Sequence, residues 1–282
     1  MGAELIRVGA ELIRVEIVKL LRRPRTLVSL ALLCALPLAV AILLAATRIG
    51  TAAGQGPAFL TAVLANGSLF PAAALAIVLP LFLPVAVAVV GGDAVAGEAS
   101  SGMLRYLLAR PVGRTRLLLA KLVSLVVFVL VAVLAVVASG YVIGVAFFPA
   151  QPGGEVVTSV SGPALTPGQV TLRIAAATLY VALSMLGVGA IALFLSTVSD
   201  SGLGATLGAL AALVASQLFT ALDAAAPLRP YLPTRYWLAW IDFFREPVLW
   251  RDIERGVGIQ AVYVAVFLGL AWANFATKDV TS

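Results

Sequence analysis

Long apolar runs alternate with short polar segments along the whole chain. Six of these runs are about 20 residues long and carry no charged side chain, and about 20 residues is the length that an α-helix needs to cross a bilayer. The runs are Thr26–Thr47, Leu69–Val90, Leu122–Val145, Ile174–Leu195, Leu203–Leu222 and Val257–Ala276. Because a spanning segment must satisfy its own backbone hydrogen bonds, the pattern predicts an all-α polytopic membrane protein with six transmembrane helices in one domain, residues 1–282.

The segment between the second and third runs is a charged island. Asp93–Lys121 holds seven charged residues, five of them basic, with about 44 uncharged residues before it and about 33 after it. Short loops rich in arginine and lysine stay on the cytoplasmic side, so we predict a cytoplasmic loop over residues 93–116. Within it the sequence predicts short helices over Val95–Ser101 and Met103–Ala109, and a new helix that starts near Arg114.

The first 25 residues precede the first apolar run and have a different pattern. The sequence Gly2–Val8 is repeated directly as Gly9–Val15, and a seven-residue repeat keeps nearly the same face of a helix. Charged residues three and four positions apart lie on one stripe of that helix, and apolar residues cover the rest. We therefore predict an amphipathic helix over residues 1–25 in the cytoplasmic membrane interface. A two-heptad coiled coil is the alternative, although it is short for that structure.

The segment before the last run, residues 223–255, combines charge with aromatic side chains. It contains five basic residues, five acidic residues and seven aromatic residues. Aromatic side chains of this kind favour the membrane–water interface, so we predict two short amphipathic helices on the outer side, partly dipping into the membrane. The residues predicted to form an outer interfacial rim are Tyr236, Trp237, Trp240 and Phe244.

The basic residues also indicate the orientation of the whole chain. Twelve of the 19 basic residues fall in segments that this topology places in the cytoplasm, together with both chain ends. Gln151–Gly168 and residues 223–255 then face outward. Five basic residues lie in the second of these segments, but long outer segments are less bound by the charge rule.

The composition narrows the class of function. The chain is 62% hydrophobic and 11% charged, whereas about a quarter of the residues of a soluble domain are charged. The net charge of +6 clusters beside the apolar runs, so membrane orientation explains it better than nucleic-acid binding. One cysteine excludes an internal disulfide, and the lack of histidine excludes most metal sites and a histidine base. No lysine follows a glycine, so the chain has no phosphate-binding loop for ATP.

Two features inside the apolar runs bear on helix packing. Pro71, Pro80 and Pro84 predict bends in the second run, either as a moving hinge or as a static shape. Small residues recur in the fourth and fifth runs in a spacing typical of tightly packed helix faces, either within the chain or between two copies. These small residues are Gly187, Gly189, Gly204, Gly208 and Ala212.

A recognisable pattern runs through the charged island. It consists of Ala96-Gly97-Glu98, the run Gly102–Leu108, Arg110-Pro111, and then Arg114 and Lys121. This pattern resembles the first cytoplasmic loop of ABC type-2 exporter permeases, which reads roughly A-G-E, G-T-L-R-x-L-L, R-P, and then R and K, with Met103 here in place of threonine. The resemblance extends to the basic N-terminal segment, the six spans and the aromatic stretch before the last span.

The resemblance implies a permease subunit of an ATP-driven exporter in the bacterial plasma (inner) membrane. It implies two permease copies, two copies of an ABC ATP-binding subunit that docks on the loop, and ATP and Mg bound by that partner. The chain itself is expected to have no catalytic, cofactor-binding or metal site. Glu98 is the leading candidate for an ionic contact with the partner. The partner-coupling residues implied are Glu98, Gly97, Gly102, Met103, Leu104, Arg105 and Arg110.

The uncharged spans also bear on the cargo. A hydrophilic ion would meet a large desolvation penalty between such helices, so we expect a hydrophobic or amphipathic substrate. Two alternatives stay open from the residues alone: an ion-coupled secondary transporter or channel, and a membrane assembly or anchor subunit without transport activity. The first is disfavoured because ion-coupled transporters generally need an ionisable group within the membrane.

Overall fold

A computed structural model describes residues 2–47, 66–100, 113–148, 157–159 and 161–277 of the chain. Its α-helices are α1 (Gly2–Arg22), α2 (Pro24–Thr47), α3 (Phe70–Val78), α4 (Phe82–Ser100), α5 (Arg114–Phe147), α6 (Pro167–Val198), α7 (Gly202–Ala221) and α8 (Trp250–Thr277). A 3₁₀ turn, Gly67–Leu69, precedes α3, and two short antiparallel strands, β1 (Val157–Thr158) and β2 (Ala164–Leu165), precede α6. Among the described residues, six helices are long and apolar enough to cross a membrane: α2, α4, α5, α6, α7 and α8. The predicted all-α polytopic membrane fold is therefore confirmed.

The N-terminal segment and the first span form two separate helices, not one continuous helix. The predicted helix before the first span is present as α1, and α2 begins directly at Pro24. Proline suits the first turn of a helix, where its missing N–H is not needed, and it interrupts the hydrogen bonds of any helix that arrives from before. The joint between α1 and α2 therefore lies at Arg23, next to the charged end of the bundle.

The second span is built from two helices with a break at residues 79–81. α3 ends at Val78 and α4 begins at Phe82, with Pro80 inside the break and Pro84 in the first turn of α4. A proline cannot donate a backbone hydrogen bond, so the helical hydrogen-bond pattern stops at Pro80. The predicted interruption of this span by proline is thus observed as a change from one helix to the next.

α4 continues well beyond the predicted end of the span. It runs to Ser100, so the separate short helix predicted over Val95–Ser101 is wrong, and so is the start of the loop at residue 93. Gly91 and Gly92 do not end the helix because neighbouring helices hold them in place: a Cβ on Gly92 would lie 2.5 Å from Oγ1 of Thr206 on α7. The predicted helix start near Arg114 is confirmed, with Gly113 at the N-cap of α5.

α6 is the central helix of the bundle. It is buried over most of its length and contacts α4, α5, α7 and α8, whereas α2 and α8 leave most of their surface exposed. The small residues of α6 lie inside these contacts: a Cβ on Gly187 would lie 2.0 Å from Oε1 of Gln260, and one on Gly189 would lie 3.0 Å from Leu125. The small residues were predicted to pack either within the chain or between two copies. Gly187 and Gly189 pack within the chain.

Different segments of the chain lie at the two ends of the bundle. At one end, the N–H group of Trp272 on α8 donates to Thr115 on α5, and Asn274 on α8 donates to Thr197 on α6. Arg114 on α5 donates to the carbonyl of Ala276, so α5 starts where α8 ends. The end of α4, the start of α5 and the end of α8 thus share one end, which we call the connector end because residues 101–112 join α4 to α5 there.

The segment between α7 and α8 differs from the prediction. Within residues 222–249, all of them described, the helices are short 3₁₀ turns, Asp223–Ala225, Arg229–Tyr231 and Ala239–Phe244, instead of two amphipathic α-helices. Prolines at 227, 230 and 233 explain this outcome, because one proline every three residues removes the hydrogen bonds that an α-helix needs.

The predicted outer rim is also wrong. Tyr236, Trp237, Trp240 and Phe244 are buried within the chain, so these four side chains do not face the bilayer interface. The segment folds inward because span side chains bind its backbone: Tyr180 donates to the carbonyl of Tyr236 at 2.7 Å, and Gln260 donates to the carbonyl of Pro233 at 2.7 Å. A chain held in this way turns its aromatic side chains into the bundle and leaves others, such as Tyr231 and Trp250, exposed.

Candidate functional site

Glu98, the glutamate of the Ala-Gly-Glu pattern, lies in the last turn of α4 at the connector end. Its side chain is 2% exposed and points toward α1 and α5. Lys121 of α5 and Lys19 of α1 each donate a hydrogen bond to a different oxygen of its carboxylate. We expected Glu98 to meet a partner protein, but the structure places its carboxylate against cations of its own chain.

Glu16 of α1 completes a closed arrangement of charge. Its carboxylate lies 3.9 Å from Nζ of Lys19 and 3.8 Å from Nζ of Lys121. Each lysine therefore contacts both Glu16 and Glu98, and negative and positive groups alternate around a neutral quartet. We call Glu16, Lys19, Glu98 and Lys121 the charge ring.

The charge ring joins three helices that are far apart in the sequence. Two of its members come from α1, one from α4 and one from α5. Lys121 is 2% exposed, which is possible for a lysine only where carboxylates balance its charge. The ring therefore fixes the relative position of α1 and of the two helices that flank residues 101–112.

A second set of ion pairs lies on α4 five residues before Glu98. Asp93 accepts hydrogen bonds from Arg23 at 2.9 Å and from Arg25 at 3.2 Å, so α4 also holds the joint between α1 and α2. Gly97 has a local role here, since a Cβ at this position would lie 2.3 Å from Oδ1 of Asp93. Gly97, predicted for partner coupling, thus makes room for the side chain that binds the joint.

Ser196 of α6, which was not among the predicted site residues, holds α4 at this end. Its hydroxyl donates to the carbonyl of Gly92 at 2.6 Å and accepts from the N–H groups of Val95 and Ala96, both at 2.9 Å. A lone serine in an apolar run gives no signal of such a role. Glu16 and Lys19 were also missed as site residues, although a Glu-x-x-Lys spacing before the first span indicates an ion pair on one helix face.

The remaining predicted coupling residues lie outside the described residues. These are Gly102, Met103, Leu104, Arg105 and Arg110. The structure therefore brings together Glu98 and Gly97 of the predicted set, and it adds Asp93, Lys121 and the α1 charges to them. Among the described residues, no group of three or more carboxylate or thiol side chains is arranged to hold a metal ion.

An apolar groove lies between the break in the second span and α7. It has a volume of about 250 Å³, and its lining is largely apolar. Leu81 and Pro84 line one side, and Leu213, Val214 and Gln217 of α7 line the other, with Trp237 of the inward-folded segment also in contact. The groove has the size and the mixed character of a site for part of a lipophilic molecule, with one amide available for a polar group.

The buried position of Lys121 gives a stability prediction. We expect Lys121→Met to lower the free energy of unfolding by roughly 3 kcal/mol, because it leaves two carboxylates with fewer cations in a buried site. Arg25→Met is the matched control: its side chain is 73% exposed, and removing an exposed ion pair costs at most about 1 kcal/mol. Thermal unfolding of the detergent-solubilised proteins measures both changes, and equal losses would contradict the assignment of a buried ring.

Comparison with known proteins assigns the chain to a family. The family profile described as "ABC-2 family transporter protein" matches residues 12–199, two thirds of the chain, and this range includes the whole charge ring and all of α6. No match was found among curated proteins. Family membership supports a membrane transport component that associates with an ATP-binding subunit. The chain therefore belongs to the ABC-2 transporter family and is a multi-pass permease subunit of an ABC transporter.

Proposed function

We propose that this permease is the membrane subunit of an exporter that moves a hydrophobic or amphipathic substrate outward. Two copies of the chain would form a homodimer and work with two ATP-binding subunits, which bind ATP and Mg and hydrolyse the nucleotide. The observation that carries this proposal is the connector end, where α1, α4 and α5 are tied together around the attachment points of residues 101–112. Membership in an ABC family supports this reading over a secondary transporter, a channel or an anchor subunit.

The connector end faces the cytoplasm in this proposal, and both chain termini lie on that side of a bacterial plasma membrane. The support is charge: Arg22, Arg23, Arg25 and the basic residues of the connector region gather there. The opposite end, with residues 157–159, 161–165 and 222–249, then faces outward.

Cysteine labelling tests this orientation in a Cys34→Ser background. Ser100 is exposed at the connector end and Ser161 at the opposite end, so each accepts a cysteine. We expect a membrane-impermeant maleimide to label Ser161→Cys in intact cells and Ser100→Cys only after permeabilisation, because the lipid bilayer excludes the charged reagent. The reverse labelling pattern would overturn the orientation.

The ATP-binding subunit docks on residues 101–112 in this proposal. The segment carries Arg105 and Arg110 and follows directly from Glu98, whose own carboxylate is held inside the chain. The buried ring then serves as the rigid base of the docking segment, and the arginines supply its charge toward the partner. Charged groups at a protein interface contribute mainly to the choice of partner and the rate of association.

Co-purification tests the docking surface. We expect the double variant Arg105→Glu/Arg110→Glu to reduce co-purifying Mg-ATP hydrolysis by about tenfold, because like charges across an interface oppose association. Arg251→Glu/Arg255→Glu is the matched control, since it makes the same charge change on exposed residues at the start of α8. The measurement is ATP hydrolysis per mole of tagged permease purified from its source membranes. Equal activity in both double variants, or no ATP hydrolysis with the unmodified permease, would contradict the proposal.

The apolar groove is the proposed contact for the cargo. It opens beside exposed apolar side chains of α7, among them Val214 and Leu218, so a lipophilic molecule can reach it from the bilayer. Close packing against the apolar lining supplies the binding free energy for a molecule that arrives from lipid, and Gln217 supplies a donor and an acceptor for one polar group.

A pair of substitutions on one face of α7 tests the groove. Val214→Trp fills it, so we expect the stimulation of ATP hydrolysis by a lipophilic dye in liposomes to fall by about tenfold. Leu207→Trp, seven residues earlier, is the control: Leu207 is 56% exposed against 54% for Val214, but it does not line the groove. Stimulation by a small hydrophilic solute alone, or an equal effect of both substitutions, would exclude the groove as the cargo site.

A further inference from the structure

We propose that the charge ring is a positioning device that makes α1 move together with the helices flanking residues 101–112. Glu16 and Lys19 are then positioning residues for coupling, although neither needs to contact the ATP-binding subunit. This inference rests on the proposed function, because it concerns how a displacement at the docking segment reaches the rest of the permease.

The contacts of the charge ring form a closed cycle. Each of its four groups has two neighbours of opposite charge, so the four contacts form one cycle across α1, α4 and α5. If α1 slides or rotates relative to the other two helices, it breaks the Lys19–Glu98 and Glu16–Lys121 contacts together. If α4 or α5 moves alone, it also breaks two contacts of the cycle.

Burial makes this cycle stiff. Glu98 and Lys121 are almost fully enclosed and Glu16 is largely so, which means that water cannot readily replace a lost partner. Apolar contacts of α1, such as that of the buried Leu20, are not directional and permit small sliding movements. Ion pairs with hydrogen bonds in a water-poor site fix a particular register, and this register is what the ring adds.

The ion pairs of Asp93 extend this connection to α2. Asp93 and Glu98 are five residues apart on α4, or roughly 7.5 Å along the helix axis. α1 is therefore bound to α4 at two places. Lys19 in the last turn of α1 pairs with Glu98, and Arg23 and Arg25 at the joint between α1 and α2 pair with Asp93. A displacement of the end of α4 is consequently passed to α1 and to the start of the first span.

The cyclic order of the charges permits a test that distinguishes a ring from an isolated pair. Glu98→Lys/Lys121→Glu exchanges the charges of one neighbouring pair of the ring, and we call this variant the edge exchange. It would be harmless for an isolated pair. In the ring it places like charges together at two other contacts, those with Lys19 and Glu16. The fourfold reversal Glu16→Lys/Lys19→Glu/Glu98→Lys/Lys121→Glu restores alternation around the whole cycle. Glu16→Gln/Lys19→Met is a milder variant, because it releases α1 and leaves the buried Glu98–Lys121 pair in place.

Two readouts are measured for each variant. The first is cargo moved per ATP hydrolysed by the complex in liposomes, with a lipophilic dye as cargo. The second uses the permease alone: spin labels on Val15→Cys and Leu119→Cys, both exposed, report the distance from α1 to α5 in the Cys34→Ser background. Asp223→Arg/Arg229→Asp is the control, a charge exchange of one pair beyond α7 in which Asp223 is exposed and Arg229 is half-buried.

The ring predicts opposite results for the two exchanges. We expect the edge exchange and the α1 release to lower cargo moved per ATP by about tenfold and to broaden the label distance distribution. The fourfold reversal should return both readouts to within about twofold of the unmodified protein, and the control should leave them unchanged. The proposal is overturned if the edge exchange retains cargo moved per ATP and the label distances as well as the fourfold reversal does. It is also overturned if releasing α1 changes neither readout. If the unmodified complex hydrolyses no ATP, the proposed function fails, while the label distances still decide whether the ring fixes α1.

Discussion

The burial of one carboxylate is the constraint on which the connector end depends. Glu98 lies in a water-poor site at the end of α4, and an ionised carboxylate is tolerated there only with cations beside it. Lys121 must therefore face α4, which fixes the rotation of α5 about its axis. Lys19 must reach the same site, which brings α1 against both helices. The position of three helices thus follows from the electrostatic requirement of a single side chain.

The opposite end is organised by a different requirement, that of unpaired backbone groups. Prolines in the segment after α7 leave carbonyl groups without helical donors, and side chains of the spans supply donors to some of them. Tyr180 and Gln260 bind two of these carbonyls, and Ser216 forms a hydrogen bond with Thr234. Tyr180, Ser216 and Gln260 look scattered along the spans, but they share one task, which is to hold this segment inside the bundle.

The six spans were predictable from the sequence, whereas the helix ends were predictable only in part, since α4 runs to Ser100 and residues 222–249 form 3₁₀ turns. Run length and charge identify the six spans. Burial was not predictable, because hydropathy does not distinguish a side chain that faces lipid from one that faces protein. Trp240 and Trp250 illustrate this point, since the first is buried and the second exposed within the same aromatic segment. Glu98 was misjudged for a related reason: its partners, Lys19 and Lys121, are distant in sequence, and a charge in a loop is normally solvated.

The break in the second span separates two helices that pack mainly on different neighbours. α3 packs on α5, so closely that a Cβ on Gly67 just before it would lie 2.1 Å from the carbonyl oxygen of Gly144, whereas α4 packs mainly on α6 and α7. The two halves of one span therefore belong to different partners. The helical hydrogen-bond pattern is interrupted at residues 79–81 between them, where Pro80 lacks an N–H donor. The angle between α3 and α4 at this break sets the width of the apolar groove, because Leu81 and Pro84 form one of its walls.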